Sequence, residues 1–130
     1  MSQALRNPDG VAKEGVPGLS PEDVVQRQLD AYNARDLARF LDEYSDDVRV
    51  YRPPALEPII VGKEAFGKFY ATQRFNHERL QADLVNRMVL GNKVIDHERI
   101  FGVGEGPFEV VVVYEVNGGL IQCTWAYAAT

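Results

Sequence analysis

The stretch LQADLVNRMVLGNKVIDHERIFGVGEGPFEVVVVYEVNGGLIQCTWAYA, residues 80–128, decides the fold. Gly91-Asn92, the glycine-rich GVGEGP and Asn117-Gly118-Gly119 cut it into runs at 80–90, 93–101, 108–116 and 120–128. Short Gly/Asn turns between β-branched runs are hairpin signals, so this half is expected to be a four-stranded antiparallel meander. In its second run, VIDHERIF at 94–101, four ionisable residues stand in a row. Side chains alternate across a strand, so Val94, Asp96, Glu98 and Ile100 share one face and Ile95, His97, Arg99 and Phe101 the other.

The preceding half reads as helices. Ser20 is placed as an N-cap, with Pro21 at the first helical position, where a missing N–H costs nothing, and Asp23 beside the orphan amides. Val24, Val25, Leu29 and Tyr32 follow at helical spacing, with Gln28 on the same stripe. Gln28 is either a helix-edge amide bonded to water or backbone, or a donor lining a pocket. Leu37, Phe40, Leu41 and Tyr44 mark a second helix capped by Asp36, and Phe66, Phe69 and Tyr70 a third over 63–73, weakened by Gly67. Between these helices, Ser45-Asp46-Asp47 reads as a turn, residues 48–52 alternate as a strand until Pro53-Pro54, and Ile59 to Val61 form a short extended piece. Helices first and strands after give an α+β fold. Residues 1–19, rich in Gly and Pro, read as a flexible arm, and 20–130 as one domain.

The chain has 130 residues, 45% of them hydrophobic, and a net charge of -5, which suits a single globular core. Its acidic balance argues against nucleic acid or an anionic membrane as partner. A lone Cys123 excludes an intramolecular disulfide and a CxxC site. The beginning of the chain lacks the apolar run of a signal peptide and no stretch is long enough to span a bilayer, so a cytoplasmic location is expected. No cofactor or metal is expected: only His77 and His97 exist, and the middle residue of Asp96-His97-Glu98 points away from its neighbours in a regular strand.

The phrases LDAYNARDLARFLDEYSDDVRVY and YEVNGGLIQCTWAY, in these places, resemble the nuclear transport factor 2-like superfamily. The likeness covers about residues 20 to 128 and is strongest to its polyketide-cyclase-like, or SnoaL-like, branch, related in fold to ketosteroid isomerase and limonene epoxide hydrolase. It implies a cone-shaped half-barrel, three N-terminal helices packed on a curved, mainly antiparallel sheet (a cystatin-like fold). It also implies a small-molecule pocket at the mouth, often in a homodimer. The positions matching the isomerase's tyrosine and two aspartates hold Gln28, Arg52 and Val112. For the epoxide hydrolase, Arg99 survives, but Phe101 and Ala126 replace its aspartates, and Val50 and Arg52 its water-holding pair. Both specific activities are therefore argued against.

Strand parity and the resemblance together place inward Val50 and Arg52; Leu84 and Asn86; Ile95, His97, Arg99 and Phe101; Val110, Val112 and Tyr114; and Thr124 and Ala126. The helices add Gln28, Tyr32, Phe69 and Tyr70. A mostly apolar wall with a few convergent polar groups is the usual make-up of a ligand site. His97, Arg99 and Arg52 are the catalytic candidates, His97 as acid or base and the arginines as donors to a ligand oxygen. Alternatively, Arg99 pairs with Glu57 or Glu109 and His97 donates to a backbone carbonyl. Asp96 and Glu98 are read as solvated outer-face residues. Val111, Val113, Cys123, Trp125 and Tyr127 give the outer face an apolar patch suited to a homodimer. The expected function is an isomerase, cyclase or hydrolase of a small apolar carbonyl or cyclic substrate; a binding module for a hydrophobic acid and a protein-interaction scaffold are the alternatives.

Overall fold

In the computed structural model, which describes residues 18–129, α1 (Pro21–Asn33), α2 (Leu37–Leu41) and α3 (Lys63–Gln73) pack on a curved six-stranded sheet. Its strands are β1 (Tyr44–Tyr51), β2 (Ile60–Val61), β3 (Gln81–Leu90), β4 (Lys93–Phe101), β5 (Phe108–Asn117) and β6 (Leu120–Ala128). They lie in the order β2-β1-β6-β5-β4-β3, with β1 parallel to β6 and every other pair antiparallel. The expected meander is thus present, and the N-terminal half extends it by two strands. Apart from Gly18 and Leu19, the arm expected over 1–19 lies outside the described residues. No helix among the described residues is long and apolar enough to cross a membrane.

Local chemistry fixes the first helix. Ser20 Oγ accepts from the Asp23 amide at 3.1 Å, and the Asp23 carboxylate accepts from the Ser20 amide at 3.2 Å, closing a capping box before Pro21. At the other end, the Asn33 side chain bonds both backbone groups of Ala82, accepting at 2.7 Å and donating at 3.0 Å. The end of α1 is thereby pinned to β3.

Two boundaries differ from the sequence reading. The second helix stops at Leu41, and Tyr44 opens β1 instead of closing the helix. Ser45-Asp46-Asp47, expected as a turn, lies inside that strand. The cause is non-local: Tyr44 pairs with Ile121, whereas pairing resumes only at Arg49 with Cys123, so the polar residues between them form an irregularity. Turn chemistry survives there as a Ser45 hydroxyl donating to Asp47 at 2.9 Å.

The core is aromatic between the helices and aliphatic against the sheet. Phe40, 1% exposed, touches the rings of Tyr32, Tyr44, Phe66, Tyr70 and Phe75, with centroids 4.9 to 5.9 Å away. Gly67, unfavourable for helix propensity, lets α3 approach α2: a Cβ there would stand 3.0 Å from Leu41 Cδ1. On the outer sheet face Val113 pairs with Trp125 and Val111 with Tyr127, and Tyr51 stacks on Trp125 at 5.4 Å.

Gly102 closes the end of β4. Its φ is +88°, and an added Cβ would collide with the Arg79 carbonyl carbon and oxygen. Gly102→Ala is expected to lower stability by roughly 2 kcal/mol or more, against about 1 kcal/mol for Gly91→Ala, where φ is +60° and the space is open. Urea unfolding of both variants checks the order; equal losses would contradict it.

Candidate functional site

A cavity of about 110 Å3 lies between the concave face of the sheet and the helices. Since a water needs roughly 10–15 Å3 by this measure, it has room for a small organic molecule. α1 contributes Gln28, Leu29 and Tyr32; β1 Val50, with Arg52 just beyond its end; α3 Phe69 and Tyr70, with Arg74 just beyond it; β5 Val110, Val112 and Tyr114; β6 Thr124 and Ala126. From β4 come Glu98 and Ile100.

The last pair corrects the expected parity of VIDHERIF. Val94, Asp96, Glu98 and Ile100 are buried, Asp96 at 0% and Glu98 at 5% exposure, while Ile95, His97, Arg99 and Phe101 face outward. None of His97, Arg99, Phe101 or Asn86 lines the cavity. Two register details account for it. Phe108 pairs with Ile100 rather than Phe101, so the inward Val110 and Val112 sit opposite Glu98 and Asp96. On the other side a bulge at Val85 shifts the ladder, leaving Leu84 opposite Glu98 but Asn86 exposed opposite His97. A one-residue slip turns every side chain over. Outside, Glu109 accepts from Arg99 at 2.9 Å and lies 2.6 Å from His97 Nε2. The alternative of Arg99 pairing with Glu109 is what forms, and His97 joins the same carboxylate instead of a backbone carbonyl.

The inward carboxylates are supported from β3 and α1. Arg87 donates to both oxygens of Asp96, at 2.7 and 2.9 Å, and to Gln26 Oε1 at 2.8 Å. Two carboxyl groups thus share one adjacent guanidinium. Arg87 grips Asp96, and Glu98 Oε2 is buried without a hydrogen-bond donor among the described residues. Burial first, then the negative charge of Asp96, pushes the Glu98 carboxyl up to about 8, with Arg87 opposing, and a hydrogen bond to Asp96 favours the protonated form further. Glu98 is therefore a neutral acid near neutral pH, contrary to its expected place in solvent.

Beside it, Tyr44 Oη donates to Gln28 Oε1 at 2.8 Å and Gln28 Nε2 donates to Tyr114 Oη at 3.2 Å. Gln28 is thus a buried link between two strands as well as a wall residue. Tyr114 accepts here and donates to no other group among the described residues, so its own O–H is uncommitted. Burial raises the hydroxyls of Tyr32, Tyr44 and Tyr114, and that of Tyr70 to about 12. All four keep their protons near neutral pH, and Tyr44 spends its own on Gln28. Arg74, Tyr44 and Glu98 escaped sequence reasoning. For Glu98 a signal existed: the two-residue turn Gly91-Asn92 sets Leu90 against Lys93 and hence Arg87 against Asp96, an ion pair on one face.

Residues 25–123 match the model of the SnoaL-like domain. The chain belongs to the SnoaL-like family. No curated protein matches this SnoaL-like domain. Among solved structures, a candidate ketosteroid isomerase from Kribbella flavida superposes with a TM-score of 0.74 at 19% identity, covering 85% of this chain and 78% of that one. An uncharacterised cystatin-fold protein from Novosphingobium aromaticivorans gives 0.74 at 22% identity, covering 84% and 98%. A candidate polyketide cyclase from Sinorhizobium meliloti gives 0.69 at 18%, covering 80% and 93%. At these identities the likeness establishes the fold.

The raised Glu98 carboxyl carries a stability consequence with a definite sign. Between about pH 4.5 and 8 the folded chain keeps a proton that the unfolded chain has lost, so stability falls as pH rises through that window. The full shift corresponds to at most roughly 5 kcal/mol. In SnoaL-like domain carrying Glu98→Gln, the gain in Tm over the parent is expected to be small near pH 4.5, to grow to pH 8 and then to level off. Thermal melts across this range check it; a pH-independent difference would contradict the assignment.

Proposed function

We propose that this SnoaL-like domain is an acid catalyst for a small, largely apolar carbonyl or cyclic compound, with Glu98 releasing its hydrogen bond to Asp96 and donating that proton to the substrate oxygen. The observation that carries the reading is a buried carboxyl at the cavity floor whose Oε2 receives no hydrogen bond among the described residues. A carboxylic acid kept neutral by an apolar site and a neighbouring charge is a strong donor to developing oxyanion charge. Tyr114 and Gln28 supply further polarity at the same end, while Val50, Phe69, Val110, Val112 and Ala126 hold the apolar body. The Asp96–Arg87 pair acts through Glu98 as a positioning element. The acid role expected of His97 passes to Glu98, because His97 and Arg99 stand on the opposite face of β4.

Donation to a carbonyl oxygen favours the enol, and loss of an adjacent C–H proton to water then exchanges that hydrogen with solvent. A panel of cyclic ketones in deuterium oxide, followed by proton NMR, is expected to show protein-dependent exchange that declines above about pH 8. Glu98→Gln, which hydrogen-bonds but carries no transferable proton, is expected to slow exchange by about 100-fold or more. Exchange at the parent rate in that variant, or none in ketones that saturate the cavity, would overturn the reading.

A further inference from the structure

The cavity changes character from floor to mouth. At the floor Glu98 is almost wholly buried and uncharged near neutral pH; toward the mouth stand Arg74, half-buried, and Arg52, exposed. The chain has 19 acidic residues against 14 Lys and Arg, yet no carboxylate among the described residues pairs with either arginine. Arg74 is nonetheless held in place. Its Nη1 donates to the Gln73 carbonyl at 2.8 Å, it hydrogen-bonds the Tyr32 hydroxyl, and its guanidinium lies 5.5 Å from the Phe69 ring centroid and 5.9 Å from that of Phe108. Arg74, Glu98 and Arg52 all act electrostatically on the Tyr70 hydroxyl, so the two cations stand on the same part of the wall and within reach of the buried acid. An apolar cavity that carries two cations and no anion attracts negative charge.

We infer that the substrate is itself an acid: a small apolar ring or chain with one carboxylate, gripped by Arg52 and Arg74 at the mouth while its reacting oxygen meets Glu98 at the floor. A planar carboxylate matches the guanidinium fork, and the aromatic rings that hold Arg74 reduce the ordering cost of the contact. The two charged groups also fix which end of the substrate enters first. The direction of the ligand rests on Glu98 being the acid, as proposed above; the preference for an anion rests on the two arginines and on Glu98 carrying no charge.

The test compares 4-oxocyclohexanecarboxylate with 4-oxocyclohexanecarboxamide, which share ring and ketone and differ in charge, by ligand-observed NMR at about pH 7. The acid is expected to bind about tenfold or more tighter, and raising salt from about 0.05 to 0.5 M to weaken the acid but not the amide. Arg52→Gln and Arg74→Gln should each narrow the preference and together remove it. The salt arm uses the unaltered chain and needs no variant to fold. Amide binding equal to or tighter than acid binding, or a preference that survives the double substitution, would overturn the inference. Exchange in neutral cyclic ketones reads Glu98 and not the arginines, so a lost acid preference with exchange intact sinks the substrate class alone.

Discussion

Asp96 has no exposed surface, and the guanidinium that meets it, Arg87, spends two of its donors on that carboxylate and a third on Gln26 of α1. Breaking a buried pair of this kind by removing one partner typically costs about 3–5 kcal/mol, because it strands an uncompensated charge. The contact ties β3 and β4 to α1 on the side of the sheet to which the Val94-Asp96-Glu98-Ile100 face of β4 points. Glu98, two residues further along the same face, then comes to lie beside a carboxylate whose cation is already engaged. With Arg87 bonded to Asp96 and also 3.9 Å from the Glu22 carboxylate, retaining a proton is the cheaper state for Glu98.

The rest of the cavity follows from that protonation. A neutral acid can sit at the floor of an apolar site without a cation beside it, so Arg52 and Arg74 remain available at the mouth. The Tyr44–Gln28–Tyr114 chain is polar yet carries no charge, and it leaves the Tyr114 O–H as a donor on the same side as Glu98. The result is a site with a graded field: uncharged donors inside, cations outside, hydrocarbon between. The outer face of β4 obeys the ordinary rule for exposed charge, with His97, Arg99 and Glu109 meeting where water screens them.

The fold was legible because its signals are local. A capped helix at Ser20, aromatic spacing over 63–73 and glycine turns between β-branched runs each act within a few residues, and each appears in place. Gln28, Tyr32, Val50, Phe69, Val112, Tyr114, Thr124 and Ala126 reach the cavity, where the helix stripe, strand parity and the family resemblance together place them. The parity of β4 was not legible. Both its faces carry two apolar and two ionisable residues, so hydrophobicity gives no preference between them. The choice is made by the register at Phe101, which pairs with Gln81 of β3 but has no partner in β5, and by one bulge at Val85, features of the ladder that depend on the partner strands. Arg74 escaped for a related reason: it stands beyond the end of α3, and only tertiary packing against Phe69 and Phe108 brings it to the cavity.

The protonation state of Glu98 is therefore the central claim. Carbon-13 NMR of the chain labelled at the glutamate side-chain carboxyls, with the Glu98 signal assigned by its loss in Glu98→Gln, follows that group directly. Its titration midpoint is expected near the value of about 8 imposed by burial and Asp96. A midpoint near 4.5, the ordinary value for a glutamate, would contradict the account.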